Sequence, residues 1–217
     1  MLARAAPVAV LLAGVALAAA ACGAKTITTP KDIPAAPAPA SGGLPWPAPP
    51  DPLALARKAG LTPEPHEFFG FHVHAHLDVF VNGEPVQVPS GIGIAIDDPA
   101  VHHQMLDDGS DAYGGIDPPC KQPCVSPLHT HDVSGVLHTE SAGSEPNRLG
   151  QFFMEWNVKL DADCVGGYCK PQASILVYVD GNSYDGNPAD IELTDHQEIA
   201  IVIGMPPATI PSKFDFG

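Results

Sequence analysis

Basic residues are scarce in this chain. Lysine and arginine together number 10, against 25 aspartates and glutamates, for a net charge of −15. So acidic a surface repels polyanions. It excludes nucleic acid and an anionic membrane surface as partners, and it suits cations. The familiar catalytic signatures are also missing. There is no Gly-x-Ser-x-Gly elbow, no phosphate-binding loop and no dinucleotide fingerprint. Ser134 lies in a turn and Ser126 precedes a proline, neither beside an arranged base, and no carboxylate pair is marked as a glycosidase pair. A good membrane span is lacking too: the one apolar run, Val8 to Ala21, is too short and too Ala-rich.

That run has a different use. Arg4 supplies a basic start, Val8 to Ala21 an apolar stretch, and Ala19-Ala20-Ala21-Cys22-Gly23 a small-residue cleavage site. Residues 1–21 therefore read as a signal peptide. A cysteine directly after the small residues resembles the signal of bacterial lipoproteins, with Ala19 where that family more often has leucine. The resemblance covers only the leader. It implies that Cys22 is lipidated, becomes the mature N-terminus and holds the protein at the outer face of a cell membrane. Losing residues 1–21 removes Arg4 and no acid, so nine basic residues face 25 acidic ones, a net −16.

Residues 22–65 read as a tether. Residues 23–50 hold eight prolines, many alanines and Ser41-Gly42-Gly43, a composition that cannot bury enough apolar surface to order itself. A short helix is predicted after Asp51-Pro52, with Asp51 as N-cap and Gly60 as terminator. Residues 66–217 then form one domain, long enough for a real core.

Apart from Cys22, four cysteines remain: Cys120, Cys124, Cys164 and Cys169. An even number in an exported chain suggests two disulfides, and the spacings favour the local pairs 120–124 and 164–169, although four cysteines allow three pairings. A four-cysteine zinc site is the rival. It lacks the two-residue knuckle spacing, and an oxidising compartment opposes thiolate ligands.

The domain reads as mostly β, of the α+β class: an antiparallel sheet or small sandwich of hairpins with one or two short helices. Phe71 to Val81 alternates, with Val73, Ala75, Leu77, Val79 and Val81 on one face and His72, His74, His76, Asp78 and Phe80 on the other. Asn82-Gly83 is a strong hairpin signal. A short strand is expected at 85–88, loop at 97–127, a helix from Asn147 to Trp156, a cysteine loop at 161–171, and strands at 173–179, 191–193 and 198–203. Ile175 to Gly181 echoes the pattern of Leu77 to Gly83 and ends in a similar turn.

The chemistry gathers in the histidines. Nine of the ten lie between 66 and 138. The stretch Leu128 to Glu140 reads as a hairpin about Ser134-Gly135. A two-residue loop sets His131 opposite His138 and His129 opposite Glu140. A four-residue loop from Asp132 to Gly135 sets His129 opposite His138. Either puts His129, His131, His138 and Glu140 on one face, whereas a three-residue loop does not. Two imidazoles at i and i+2 on a strand can converge on one ion, and a third from a neighbouring strand completes a three-histidine site. His72, His74 and His76 offer a second site or part of the same one. His102 and His103 are weaker candidates, and His66 and His196 are read as structural.

The folded part is similar to secreted or lipid-anchored bacterial proteins that pair a His-x-His-x-His-Leu strand with a Leu-His-Thr-His-Asp hairpin and a Leu-Gly-x-Phe-Phe helix. Here these are His72 to Leu77, Leu128 to Ser141 and Leu149 to Phe153. That resemblance implies one coherent domain over about 70–216 and no particular activity. Three functions remain. One is a lipid-anchored module binding Cu(II) or Zn(II), which the residues favour over catalysis. Another is a mononuclear zinc hydrolase or lyase with Glu140 or Asp132 handling protons. The third is a structural lipoprotein.

Overall fold

A computed structural model describes residues 33–39 and 46–217. The leader and Cys22 lie outside the described residues. Helix α1 (Pro52–Lys58) starts as expected: the Asp51 carboxylate accepts from Ala54 N at 3.0 Å, and the chain leaves through Gly60 in a left-handed conformation. The strands follow as β1 (Phe71–Val81), β2 (Glu84–Val86), β3 (His102–Met105), β4 (Asp111–Gly114), β5 (Leu128–His129) and β6 (Val136–Ser141). After helix α2 (Leu149–Glu155) come β7 (Cys164–Val165), β8 (Tyr168–Cys169), β9 (Ile175–Val179), β10 (Asn182–Ser183) and β11 (Gln197–Ile203). Among the described residues secondary structure is mostly strand, with two short α-helices, and the sheet does not close into a barrel.

Seven strands form one mixed sheet in the order β10-β9-β11-β1-β6-β5, with β2 also on β1. Every pairing is antiparallel except β1 with β11, which run parallel in the register Ala75 to Gln197 through Val81 to Ile203. The echoed segments are strands that each end in a tight hairpin turn of this sheet. Asn82-Gly83 and Asp180-Gly181 both take positive φ at each residue, as the tight primed turns require.

The alternation of β1 divides the sheet into two unlike faces. Ala75, Leu77, Val79 and Val81 point into the main core, where Leu137 and Leu128 join them from β6 and β5. Helix α2 lies across that face with Leu149, Phe152, Phe153 and Trp156 all buried. Full burial of one such side chain contributes on the order of 1.5–3 kcal/mol. Arg148 N donates to Gln151 Oε1 at 2.8 Å at the helix start, and Asn147 Nδ2 reaches Pro127 O and Thr139 Oγ1, both at 3.3 Å, pinning the approach to β5 against β6. The opposite face is apolar over one half only. There Phe80, Ala200, Val202 and Tyr178 pack with Ile210 of the C-terminal tail.

Several segments differ from their sequence reading. Residues 97–127, expected as loop, contain the hairpin β3–β4, and Val101, Ile116 and Val125 form a small core with Ile94 beside the first disulfide. The 191–193 strand is reduced to one bridge, between Arg148 and Glu192. Described parts of the Pro-rich segment lie against the domain. Ala36 and Trp46 are buried, Asn82 exchanges two hydrogen bonds with Ala36, and the Trp46 ring meets Trp156 edge-on at 5.7 Å. The cysteines pair locally, Cys120 with Cys124 and Cys164 with Cys169. No helix among the described residues is long and apolar enough to cross a membrane.

Candidate metal centre

The site occupies the polar half of the sheet face away from α2. Strand pairing builds it. His129 on β5 lies opposite His138 on β6, and His138 lies opposite His74 on β1. One step along, Glu140 on β6 is opposite His72. This is the register of the four-residue loop. His131 lies between β5 and that loop and is carried to the same place by β4, whose Tyr113 carbonyl accepts from His131 Nδ1 at 2.5 Å. Gly114 makes this close approach possible, because a Cβ there would run into the His131 ring.

One ligand atom from each of His129, His131, His138 and Glu140 lies within 4.8 Å of all the others. The protonation of two of them follows from their neighbours. A carbonyl oxygen can only accept, so His129 Nδ1 donates to Ser126 O at 2.9 Å, as His131 Nδ1 does to Tyr113 O. With those Nδ1 protons in place, the neutral form of each ring carries its lone pair on Nε2, and the two Nε2 atoms stand 3.3 Å apart. Two facing lone pairs repel. Protonating one would create an imidazolium, and the His129 side chain has no exposure at all. A shared cation resolves the conflict. Tetrahedral bonds of 2.0–2.1 Å to zinc place two nitrogens about 3.3 Å apart.

The charges lead the same way. Burial pushes the His129 pKa well below its ordinary value, and the neighbouring His131 adds to this. Burial also lowers His138, and it lowers His74 with help from His138 and His72. Glu140 behaves oppositely. Burial works against its charge, but the 3.1 Å hydrogen bond from His138 Nδ1 and the fields of His129, His138 and His131 outweigh it, holding the carboxyl at about 2. The result is a carboxylate only 5 % exposed whose ion-pair partners among the described residues are histidines, and burial lowers the pKa of three of them, His74, His129 and His138. A buried anion without a fixed cation is costly, and a divalent ion would neutralise it.

His72 and His74 form a neighbouring group with the same Glu140, again within 4.8 Å, but half-exposed. His76 parts from them. Its Nδ1 meets Glu198 Oε2 and its Nε2 meets Ser134 O, both at 2.8 Å, and the Phe214 ring stacks on it at 3.9 Å. Burial opposes its charge, yet the hydrogen bond and charge of Glu198, with Asp78 behind, raise its pKa. His76, Asp78 and Glu198 are near enough to hold an ion, but both imidazole nitrogens already have partners. His102 and His103 are exposed on β3, with His103 Nε2 2.7 Å from Asp111. His66 bonds its neighbour's carbonyl, and His196 is exposed beside Asp195.

Sequence reasoning missed the supports. Glu67 Oε1 stands 3.9 Å from His131 Nε2 and also accepts from Gly115 N. The carbonyls of Ser126 and Tyr113 that set the ring tautomers carry no side-chain signature. Comparison of the chain with protein-family models, with curated proteins and with solved structures returns no match. What the fold and site define is therefore a mostly β, histidine-rich domain with groups that could hold a metal ion.

Proposed function

We propose that the chain is an exported, lipid-anchored protein that binds Cu(II) or Zn(II) through His129, His131, His138 and Glu140. One observation carries the reading: two imidazoles with both Nδ1 atoms committed to carbonyls present bare Nε2 atoms to each other at 3.3 Å, beside a buried carboxylate. Imidazole and carboxylate donors without thiolate or thioether suit these borderline divalent ions. Binding is favoured over hydrolysis because the two carboxylates that a hydrolase would need for proton transfer have other work. Asp132 accepts from Ser134 N at 2.8 Å and shapes the turn, and Glu140 is held by the histidines themselves.

Calorimetric titration with Cu(II) and with Zn(II) tests this on the wild type, His131→Ala and His196→Ala. The wild type and His196→Ala should bind alike, and His131→Ala should bind at least a hundredfold more weakly. A His131→Ala protein that binds like wild type would refute the site.

A further inference from the structure

We propose that Glu140 is a bridging carboxylate and that the centre holds two divalent ions, an inner one among His129, His131 and His138 and an outer one at His72 and His74. This extends the metal-binding reading above and rests on it. The donors outnumber one ion's needs: five imidazoles surround a single carboxylate. They also fail to converge at one point, falling into two groups, each within 4.8 Å internally, that have only Glu140 in common. The two carboxylate oxygens face different histidines, although Oε1 also accepts from His138 Nδ1 at 3.1 Å. Oε2 faces inward, 3.9 Å from His129 Nε2. Oε1 lies 3.3 Å from His72 Nε2 and 3.9 Å from His74 Nε2. His72 and His74 bring their own Nε2 atoms to 2.9 Å, a second close nitrogen pair like that of His129 and His131.

Backbone pairing, and not chance rotamers, sets this division. Glu140 is opposite His72 and His138 is opposite His74, so β6 supplies ligands at the boundary and β1 and β5 supply the two outer edges. His74 N also donates to Asp195 Oδ1 at 3.2 Å, which ties its strand position to the loop before β11. Exposure separates the two places. His129 is sealed and Glu140 nearly so, while the His72 and His74 side chains are 39 % and 31 % exposed. The outer ion, with two imidazoles and one carboxylate oxygen, keeps coordination positions open to water or to an anionic ligand. It is the exchangeable member of the pair.

The test uses the full mature chain and Cu(II). Wild type should take up two ions per chain at saturation. The half-loaded protein should give an ordinary copper resonance, and the fully loaded one should lose intensity and show the half-field transition of a coupled pair. The double variant His72→Ala/His74→Ala should take up one ion, at an inner-site Kd within about tenfold of wild type. Both replaced side chains are partly exposed, and the resonance measurement on wild type needs no variant. One ion per wild-type chain, lost in His131→Ala, would overturn the bridged pair while leaving the metal-binding reading intact. Two ions with full, uncoupled resonance intensity would also overturn the bridge. No uptake at all would end both readings.

Discussion

His129 shows how much one side chain's surroundings decide. Its Nδ1 is spent on Ser126 O, so Nε2 can act only as a lone pair, and burial holds the ring neutral. The pH dependence follows. His129, His138 and His74 titrate below 6.5 in the fold, while in the unfolded chain they take up protons near that value. The unfolded state therefore binds more protons as pH falls through 6.5, and the metal-free protein loses stability from there downwards. Glu140, near 2 in the fold against 4.5 unfolded, adds stability that is complete above 4.5 and lost between 4.5 and 2. Both act in one direction, opposite to His76 and Glu155 with their raised pKa values, so the urea midpoint of the metal-free protein should fall less between pH 7 and pH 4 in Glu140→Gln than in wild type. An equal fall in both would contradict the contribution of Glu140. Metal affinity should hold at neutral pH and collapse only below about 6.5, where protons compete for the same lone pairs.

Glu155 is the reverse case. It is fully buried in α2, neither oxygen makes a well-formed hydrogen bond, and burial lifts its pKa well above normal, opposed only by nearby Ser126. The folded state keeps its proton after the unfolded chain has released its own. Its contribution to stability is full below 4.5 and is lost as pH rises above that value. Glu155→Gln cannot ionise, so it should raise the urea midpoint at pH 7 and leave it unchanged near pH 4. An equal effect at both values would show that packing, not ionisation, governs the position.

Among the elements, β1 was the most legible. Its period-two alternation gave both faces, and Asn82-Gly83 closed its turn, so Phe71–Val81 could be delimited from the sequence. The β5–β6 pairing was legible only as a choice among turn lengths, and the observed register is the one placing His129 opposite His138. The β3–β4 hairpin was not legible, because neither the exposed His102–Met105 nor the half-buried Asp111–Gly114 carries an alternating apolar face. Yet that hairpin supplies the carbonyl that orients His131. Gly114→Ala should therefore push the His131 ring aside and weaken metal binding about 10- to 100-fold, with the sheet's circular dichroism unchanged. Unaltered affinity would mean that His131 needs no support from β4.

At the scale of the whole molecule, basic side chains are scarce, and among the described residues Glu140 is ion-paired only to histidines. The proposed anchor acts at this scale too. Cys22→Ala should leave the protein unprocessed or release it from membranes on cell fractionation. A variant that partitions with membranes at the wild-type mature mass would exclude lipidation at Cys22. The sequence alone determined what depends on neighbours in the chain: the alternating faces of β1, the apolar stripe of α2, the capped start of α1 and the tight turns at Asn82-Gly83 and Asp180-Gly181, while it favoured the local cysteine pairs without deciding them. Tertiary structure decided what depends on residues far apart. The parallel pairing of β11 with β1 brings Glu198 opposite His76 and draws that histidine out of the row, leaving His72 and His74 beside Glu140. Side-chain alternation is a local property of extended backbone, whereas the partner, direction and register of a strand are set by how the whole core packs.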